Sequence, residues 1–258
     1  MTELRRVAPV EKPVALTIAG SDSGGGAGVQ ADLKTIEAMG AFGTSAVTSV
    51  TAQNTRGVES THLVPRAEVA AQIQAVTSDF DVRAAKTGML AVEPIVDLVA
   101  ERAAALDAPV VVDPVMVAAS GDRLLDPGAE ASYEALISEA AIVTPNADEA
   151  EVLTGVEITD AKSAREAGDE LLAMGARSAL LKGGHVPGDA VRDVFVTADG
   201  VETFEHPRIK TAATHGSGCT LSSAIAARLA QGDALSEAVE SGVAFMRRAV
   251  RYPLDVGE

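Results

Sequence analysis

Five short apolar runs in this chain each end directly in a polar or glycine-rich segment, and that repetition limits the fold more than any other feature. The segments are Gly20–Gly28, Lys86–Met89, Asp113–Val115, Thr144–Glu149 and Lys182–His185. The runs that lead into them, Val14–Ala19, Arg83–Lys86, Pro109–Val112, Ala141–Thr144 and Ser178–Leu181, have the length and apolar character of buried strands. Phe42–Val50 reads as another. Between the strands, apolar residues recur at helical spacing, as with Val29, Leu33 and Ile36 inside Ala27–Met39, where Gly40 is a stop signal. Further helices are expected over Glu68–Val76, Ile95–Ala105, Ala129–Ile137, Pro145–Leu153, Ala164–Met174, Cys219–Ala230 and Leu235–Arg248. Val191–Thr197 and Val201–Glu205 flank Ala198–Asp199–Gly200 as a hairpin. Parallel strands need crossover connections, so repeated strand–helix units predict a mostly parallel sheet with helices on both faces. Ligands bind such sheets at the carboxyl ends of the strands. The five segments are therefore expected along one edge.

Composition narrows the class. The 258 residues fit one large α/β domain, residues 1–258, and the 47% apolar content is ample for a buried core. The lone cysteine, Cys219, excludes an internal disulfide scaffold. No stretch reaches the roughly 20 apolar residues of a membrane helix, and the start of the chain lacks a signal-peptide pattern. No membrane partner and a cytoplasmic location are expected. Residues 1–12 are expected to be loosely ordered. The formal net charge of -16 argues against nucleic acid as a partner. That charge has two readings. One is an ordinary soluble acidic protein. The other is a halophilic-type surface, in which high salt screens the self-repulsion of residues such as Glu93, Asp97, Glu101, Glu166, Asp169, Glu170, Glu237 and Glu240.

The strand ends hold the residues able to do chemistry. Gly20–Gly28 lets backbone approach a ligand and exposes amides. Asp113 and Glu149 are carboxylates of the kind that hold magnesium beside nucleotide phosphates, although Asn146 and Glu149 also suit a plain helix cap. Lys182 is notable because the chain has so few lysines, although it also reads as a surface lysine whose stem is buried. Thr214–Thr220 opens a helix, and the amides of Gly216, Ser217 and Gly218 are expected to converge as an anion hole. Cys219 shares that positive potential, which is expected to lower its thiol pKa; its other reading is a small buried apolar residue. His215 has no strong assignment. No serine-hydrolase elbow or zinc-ligand spacing is present. The components together describe a phosphoryl transferase, whose chemistry rests mainly on positioning and charge stabilisation.

In that order and context the motifs Ile18–Thr35, Thr51–Thr55, Lys86–Leu90, Val112–Met116, Thr144–Glu149, Lys182–His185 and Thr214–Thr220 resemble the hydroxymethylpyrimidine/phosphomethylpyrimidine kinases of thiamine biosynthesis. The resemblance covers Leu16 to about Arg248. It implies a ribokinase-like three-layer α/β/α domain with a mostly parallel central sheet, ATP and Mg²⁺ as cofactors, and a homodimer. It implies that Gly20, Ala27, Asp32, Gln53, Met89 and Val115 line a pyrimidine pocket. Lys182 and Asn146 would meet the triphosphate, together with Gly216 and Gly218. Asp113 and Glu149 would hold magnesium, and Cys219 would be the catalytic base beside the Gly216–Gly218 amides. The implied substrates are 4-amino-5-hydroxymethyl-2-methylpyrimidine and its monophosphate. A pyridoxal-type kinase of the same superfamily and a nucleotide-binding regulator without turnover are the rival readings. The chain stops at Arg251–Glu258, where many relatives continue, so a trimmed tail or a missing fused thiamine-phosphate synthase domain is also contemplated.

Overall fold

A computed structural model describes residues 11–118, 121–211, 214–253 and 256. The expectation of a loosely ordered start therefore falls mostly outside the described residues, as does part of the C-terminal tail. The chain runs β1 (Val14–Asp22), α1 (Gly28–Ala38), β2 (Phe42–Asn54), β3 (Gly57–Leu63), α2 (Arg66–Asp79), β4 (Val82–Thr87), α3 (Glu93–Ala104) and β5 (Val110–Val112). It continues α4 (Tyr133–Ser138), β6 (Ile142–Val143), α5 (Ala147–Thr154), α6 (Ala161–Ala173), β7 (Ser178–Leu181), β8 (Ala190–Thr197), β9 (Gly200–Pro207), α7 (Ser217–Ala230) and α8 (Leu235–Arg251).

The described strands form one sheet in the order β3-β2-β1-β4-β5-β6-β7-β8-β9. The centre, from β2 through β7, is parallel, as the strand–helix alternation predicts. Its edges are antiparallel: β3 returns along β2, and the β8–β9 hairpin extends the sheet beyond β7.

Successive residues of a strand point to opposite faces, so a central strand must be apolar throughout. Val110 and Val112 join the core beneath α2–α6, and Val111 joins the core beneath α7 and α8. Ile142 and Val143 divide in the same way, as do Leu180 and Leu181. The first core includes Leu16, Ile73, Leu98, Tyr133 and Leu171. The second includes Leu180, Phe195, Leu221, Ile225 and Val239, and a smaller cluster of Ile36, Ala84 and Ala227 seats α1. The expected three layers are thus formed.

Three differences from the sequence expectation matter. β3 was not anticipated, because most of Gly57–Leu63 is exposed and it carries no apolar face. The helix expected over Ala129–Ile137 is broken into a 3-10 turn at Pro127–Ala129 and the short α4. Lys86 lies inside β4 and not in a loop after it, and it is completely buried.

Candidate active site

The carboxyl ends of the parallel strands open into one cavity of about 690 Å³. Its lining includes Gly20, Ala27, Gln53, Met89 and Val115 together with Asp113, Asn146, Glu149, Lys182 and Gly216–Cys219. Five segments separated by more than 160 residues of sequence thus meet where the topology requires.

Asp113 follows β5 and is buried. Its Oδ1 accepts from Lys182 Nζ at 3.0 Å and from Thr144 Oγ1 at 3.3 Å, and its Oδ2 accepts from Ser222 Oγ at 3.1 Å. Lys182 Nζ also lies 3.7 Å from Glu149 Oε2. Asp113 and Glu149 therefore face one another across a shared lysine. Burial alone would lower the Lys182 pKa, but Asp113 and Glu149 outweigh it and raise the pKa above the ordinary lysine value. Burial pushes the Glu149 pKa up and Asp113 adds to this, against Lys182 and the amides of Asn146 and Met116. Glu149 also completes a capping box: Asn146 Oδ1 accepts from its amide at 2.9 Å, while its own Oε2 accepts from the Asn146 amide at 2.8 Å. The cap reading and the cavity placement hold together.

Gly216 starts α7 with φ +75°, and a Cβ there would sit 1.8 Å from the Gly26 carbonyl oxygen. Only glycine fits that backbone conformation and that approach. Gly218 lies close to the lysine, since a Cβ there would be 3.3 Å from Lys182 Nζ and 3.6 Å from Asp113 Oδ2. Of the three amides expected to converge, that of Ser217 is committed, since it donates to the Thr214 carbonyl at 3.1 Å.

Two expectations are corrected. Asp32 does not line the cavity. It is fully buried on α1, where it accepts from Lys86 Nζ at 2.9 and 3.0 Å, from Thr17 Oγ1 at 2.6 Å and from Ser223 Oγ at 2.8 Å. Burial opposes the Lys86 charge, yet Asp32, with Cys219 and Asp113 nearby, raises its pKa above the ordinary value. Cys219 does not have a lowered pKa either. Its residue is half-buried, but the protein packed around the thiol pushes its pKa up to about 11. Lys86 and the Gly28 amide pull it down, and Asp32 and Asp113 push it further up. Desolvation overrides the helix N-terminus.

The sequence reading missed one contact between the two glycine loops. Asp22 accepts from the amides of Gly24, Gly26 and Ala27 at 2.8, 3.1 and 2.8 Å, and His215 Nε2 lies 3.1 Å from its Oδ2. Burial would raise the Asp22 carboxyl, but His215 and these amides hold it below the ordinary carboxylate value. The Ser-Asp-Ser-Gly sequence at the end of β1 was the available signal, since an aspartate ahead of glycines commonly gathers the following amides.

Asp113 and Glu149 offer the hard oxygen donors that magnesium takes, on either side of the shared Lys182 ammonium. Among the described residues no larger cluster of metal-ligating side chains occurs. The pair fits an ion shared with nucleotide phosphates.

Known proteins show the family. A family model described as phosphomethylpyrimidine kinase matches residues 22–258. The hydroxymethylpyrimidine/phosphomethylpyrimidine kinase of Streptomyces coelicolor is 46% identical over 252 residues, covering 96% of this chain and 93% of that one. The thiamine biosynthesis bifunctional protein ThiED of Geobacter sulfurreducens is 49% identical over 255 residues, or 98% of this chain, which spans 52% of that relative's length. The solved structure of the pyridoxal kinase from Staphylococcus aureus in complex with AMP-PCP and pyridoxal matches with a TM-score of 0.89 at 30% identity, covering 96% of this chain and 91% of that one. With the family model matched over residues 22–258 and a relative 46% identical along nearly its whole length, this chain belongs to the phosphomethylpyrimidine kinase family.

Proposed function

We propose that the chain transfers the γ-phosphoryl group of ATP to the hydroxymethyl oxygen of 4-amino-5-hydroxymethyl-2-methylpyrimidine, and then a second phosphoryl group to the resulting monophosphate. One observation carries the reading: Gly218, Lys182 and Asp113 converge within the cavity that Gly20, Gln53 and Met89 also line.

Gly20, Ala27, Gln53, Met89 and Val115 enclose the pyrimidine. Gln53 offers both a donor and an acceptor, as an aminopyrimidine edge requires. Lys182 and the amides of Gly216 and Gly218 hold the transferred phosphoryl oxygens, and Ser217 supplies the turn that aims them. Asn146 fixes Glu149 beside the triphosphate. Asp113 and Glu149 would hold Mg²⁺, which supplies neutralisation of phosphate charge when bound.

Cys219 receives the hydroxymethyl proton. Burial pushes the thiol pKa up to about 11, so the thiol form prevails at neutral pH, and Lys86 beneath the helix is the cation that favours the thiolate.

The deciding experiment is a coupled kinase assay with the pyrimidine alcohol, its monophosphate and pyridoxal, each with Mg-ATP. Both pyrimidines are expected to turn over well above pyridoxal. A preference for pyridoxal overturns the substrate assignment, and no turnover of any of the three overturns the kinase reading.

We place this activity in the cytoplasm, and in a homodimer. The stacked, exposed Phe42 and Phe80 rings and the exposed edge strand β3 support an assembly face near that sheet edge. Light scattering of the purified chain tests this, and a monomeric mass overturns it.

A further inference from the structure

Gln53 stands near the end of β2, and one side chain fixes its backbone. Ser23 Oγ accepts from the Gln53 amide at 2.8 Å and donates to the Gln53 carbonyl at 2.7 Å. What remains free is the sense of the side-chain amide. Its oxygen and nitrogen ends have nearly the same shape, so hydrogen bonding decides which end goes where. Thr51 is the neighbour that decides. It is 3% exposed, and its Oγ1 lies 2.8 Å from the Ser21 carbonyl oxygen and 3.0 Å from Gln53 Oε1. A hydroxyl has one proton to give, and a carbonyl oxygen only accepts. The two contacts therefore compete for that proton, and the one that goes without it sets two acceptors against each other. Thr51 and Gln53 both line the cavity, so the outcome bears on what the cavity can bind.

Resting on the kinase reading, we propose that Thr51 is a positioning residue that fixes the sense of the Gln53 amide and, through it, the ring substituent that the cavity accepts. The Ser21 carbonyl takes the Thr51 proton, because it is the nearer acceptor and is part of a strand that cannot turn. The Gln53 amide can turn by half a revolution about its last bond. Nε2 then donates to Thr51 Oγ1, and both contacts of the hydroxyl are matched. Nε2 keeps a second proton, and Oε1 stands beside it, so the ring meets an acceptor and a donor in a set order. An amino group beside a ring nitrogen fits that order. A ring carbonyl beside a ring N–H has the reverse order. The hydroxymethyl group has to reach Lys182, which stops the ring from turning over to correct the mismatch. An amide free to turn would accept either ring.

Neutron diffraction from the deuterated, unaltered chain reads the amide directly. The Thr51 deuteron is expected on the line to the Ser21 carbonyl, with a deuteron of Nε2 aimed at Thr51 Oγ1. A Thr51 deuteron aimed at Oε1 overturns the assignment. Calorimetry reads the selectivity, with 4-amino-5-hydroxymethyl-2-methylpyrimidine and its 4-oxo counterpart as ligands. The unaltered chain is expected to bind the amino compound about tenfold or more tightly. Thr51→Ser, which keeps the hydroxyl, is expected to keep that ratio. Thr51→Val lets the amide turn, and the ratio is expected to fall to near one because the oxo compound gains affinity. General damage to the pocket weakens both compounds and does not favour the oxo one. An unchanged ratio in Thr51→Val overturns the assignment, as do equal affinities in the unaltered chain. Should Thr51→Val fail to fold, the deuteron positions decide alone. Phosphorylation of the pyrimidine is read separately. Discrimination in binding without phosphorylation defeats the kinase reading alone, and phosphorylation without discrimination defeats this proposal alone.

Discussion

His215 Nε2 lies 3.1 Å from Asp22 Oδ2, joining the glycine loop after β1 to the loop that opens α7. The same carboxylate gathers three amides of its own loop. Asp22 is thus the node through which the floor of the pyrimidine end and the expected phosphoryl site hold their relative positions.

The Asp22 pKa is depressed in the folded chain. A depressed carboxylate stabilises the fold fully above its unfolded pKa, and that contribution is lost as pH falls through the folded value. Urea midpoints measured from pH 7 to pH 3 are expected to fall more steeply for the unaltered chain than for Asp22→Asn. Parallel curves would show that the carboxylate is not linked to stability.

Cys219→Ala is expected to lower turnover by orders of magnitude with little change in ATP affinity, since the thiol is assigned to proton transfer and not to the nucleotide. In the unaltered enzyme, kcat is expected to keep rising with pH through pH 9, because the thiol titrates near 11. A kcat that is flat between pH 7 and 9 counts against Cys219 as the limiting base, and near-normal turnover of the alanine variant eliminates it.

Lys86 and Asp32 form an ion pair with neither side chain exposed. Removing one partner of a buried pair leaves the other charge uncompensated, so Lys86→Met is expected to cost about 3–5 kcal/mol in chemical denaturation. The double variant Lys86→Met/Asp32→Leu is expected to recover most of that loss. Equal loss in both would assign the effect to packing and not to charge.

The helical acidic residues Glu93, Asp97, Glu101, Glu166, Asp169, Glu170, Glu237 and Glu240 are exposed. If this surface suits a salt-rich cell, the melting temperature rises from dilute buffer to molar KCl as repulsion is screened. A salt-independent melting temperature identifies ordinary solubility instead.

Strand ends were the most legible feature, because a central parallel strand must be apolar on both faces and must release its polar residues where it stops. Val110–Val112 followed by Asp113 is such a case. Charged residues buried within elements were not legible. Lys86 reads as the start of a loop, since its partner Asp32 lies 54 residues earlier in the chain. A signal existed, because Asp32 sits between Val29 and Ile36 on the apolar side of α1, where a lone carboxylate needs a cation. The approach of Asp193 on β8 to His206 on β9, 3.6 Å between Oδ2 and Nε2, was hidden because alternation along the two strands becomes visible only once the register is known. The rise in the Cys219 pKa was hidden as well, because a helix N-terminus can be read from a motif and the packing around a sulfur cannot.

The close approach of Gly216 to the Gly26 carbonyl has a consequence for redesign. The two loops are neighbours without intervening side chains, so the acceptor pocket cannot be widened on that side without also moving the phosphoryl cradle. Room for a bulkier alcohol has to come from the side chains that line the cavity elsewhere, such as Gln53 and Met89. Variant libraries aimed at new substrates are best confined to those positions.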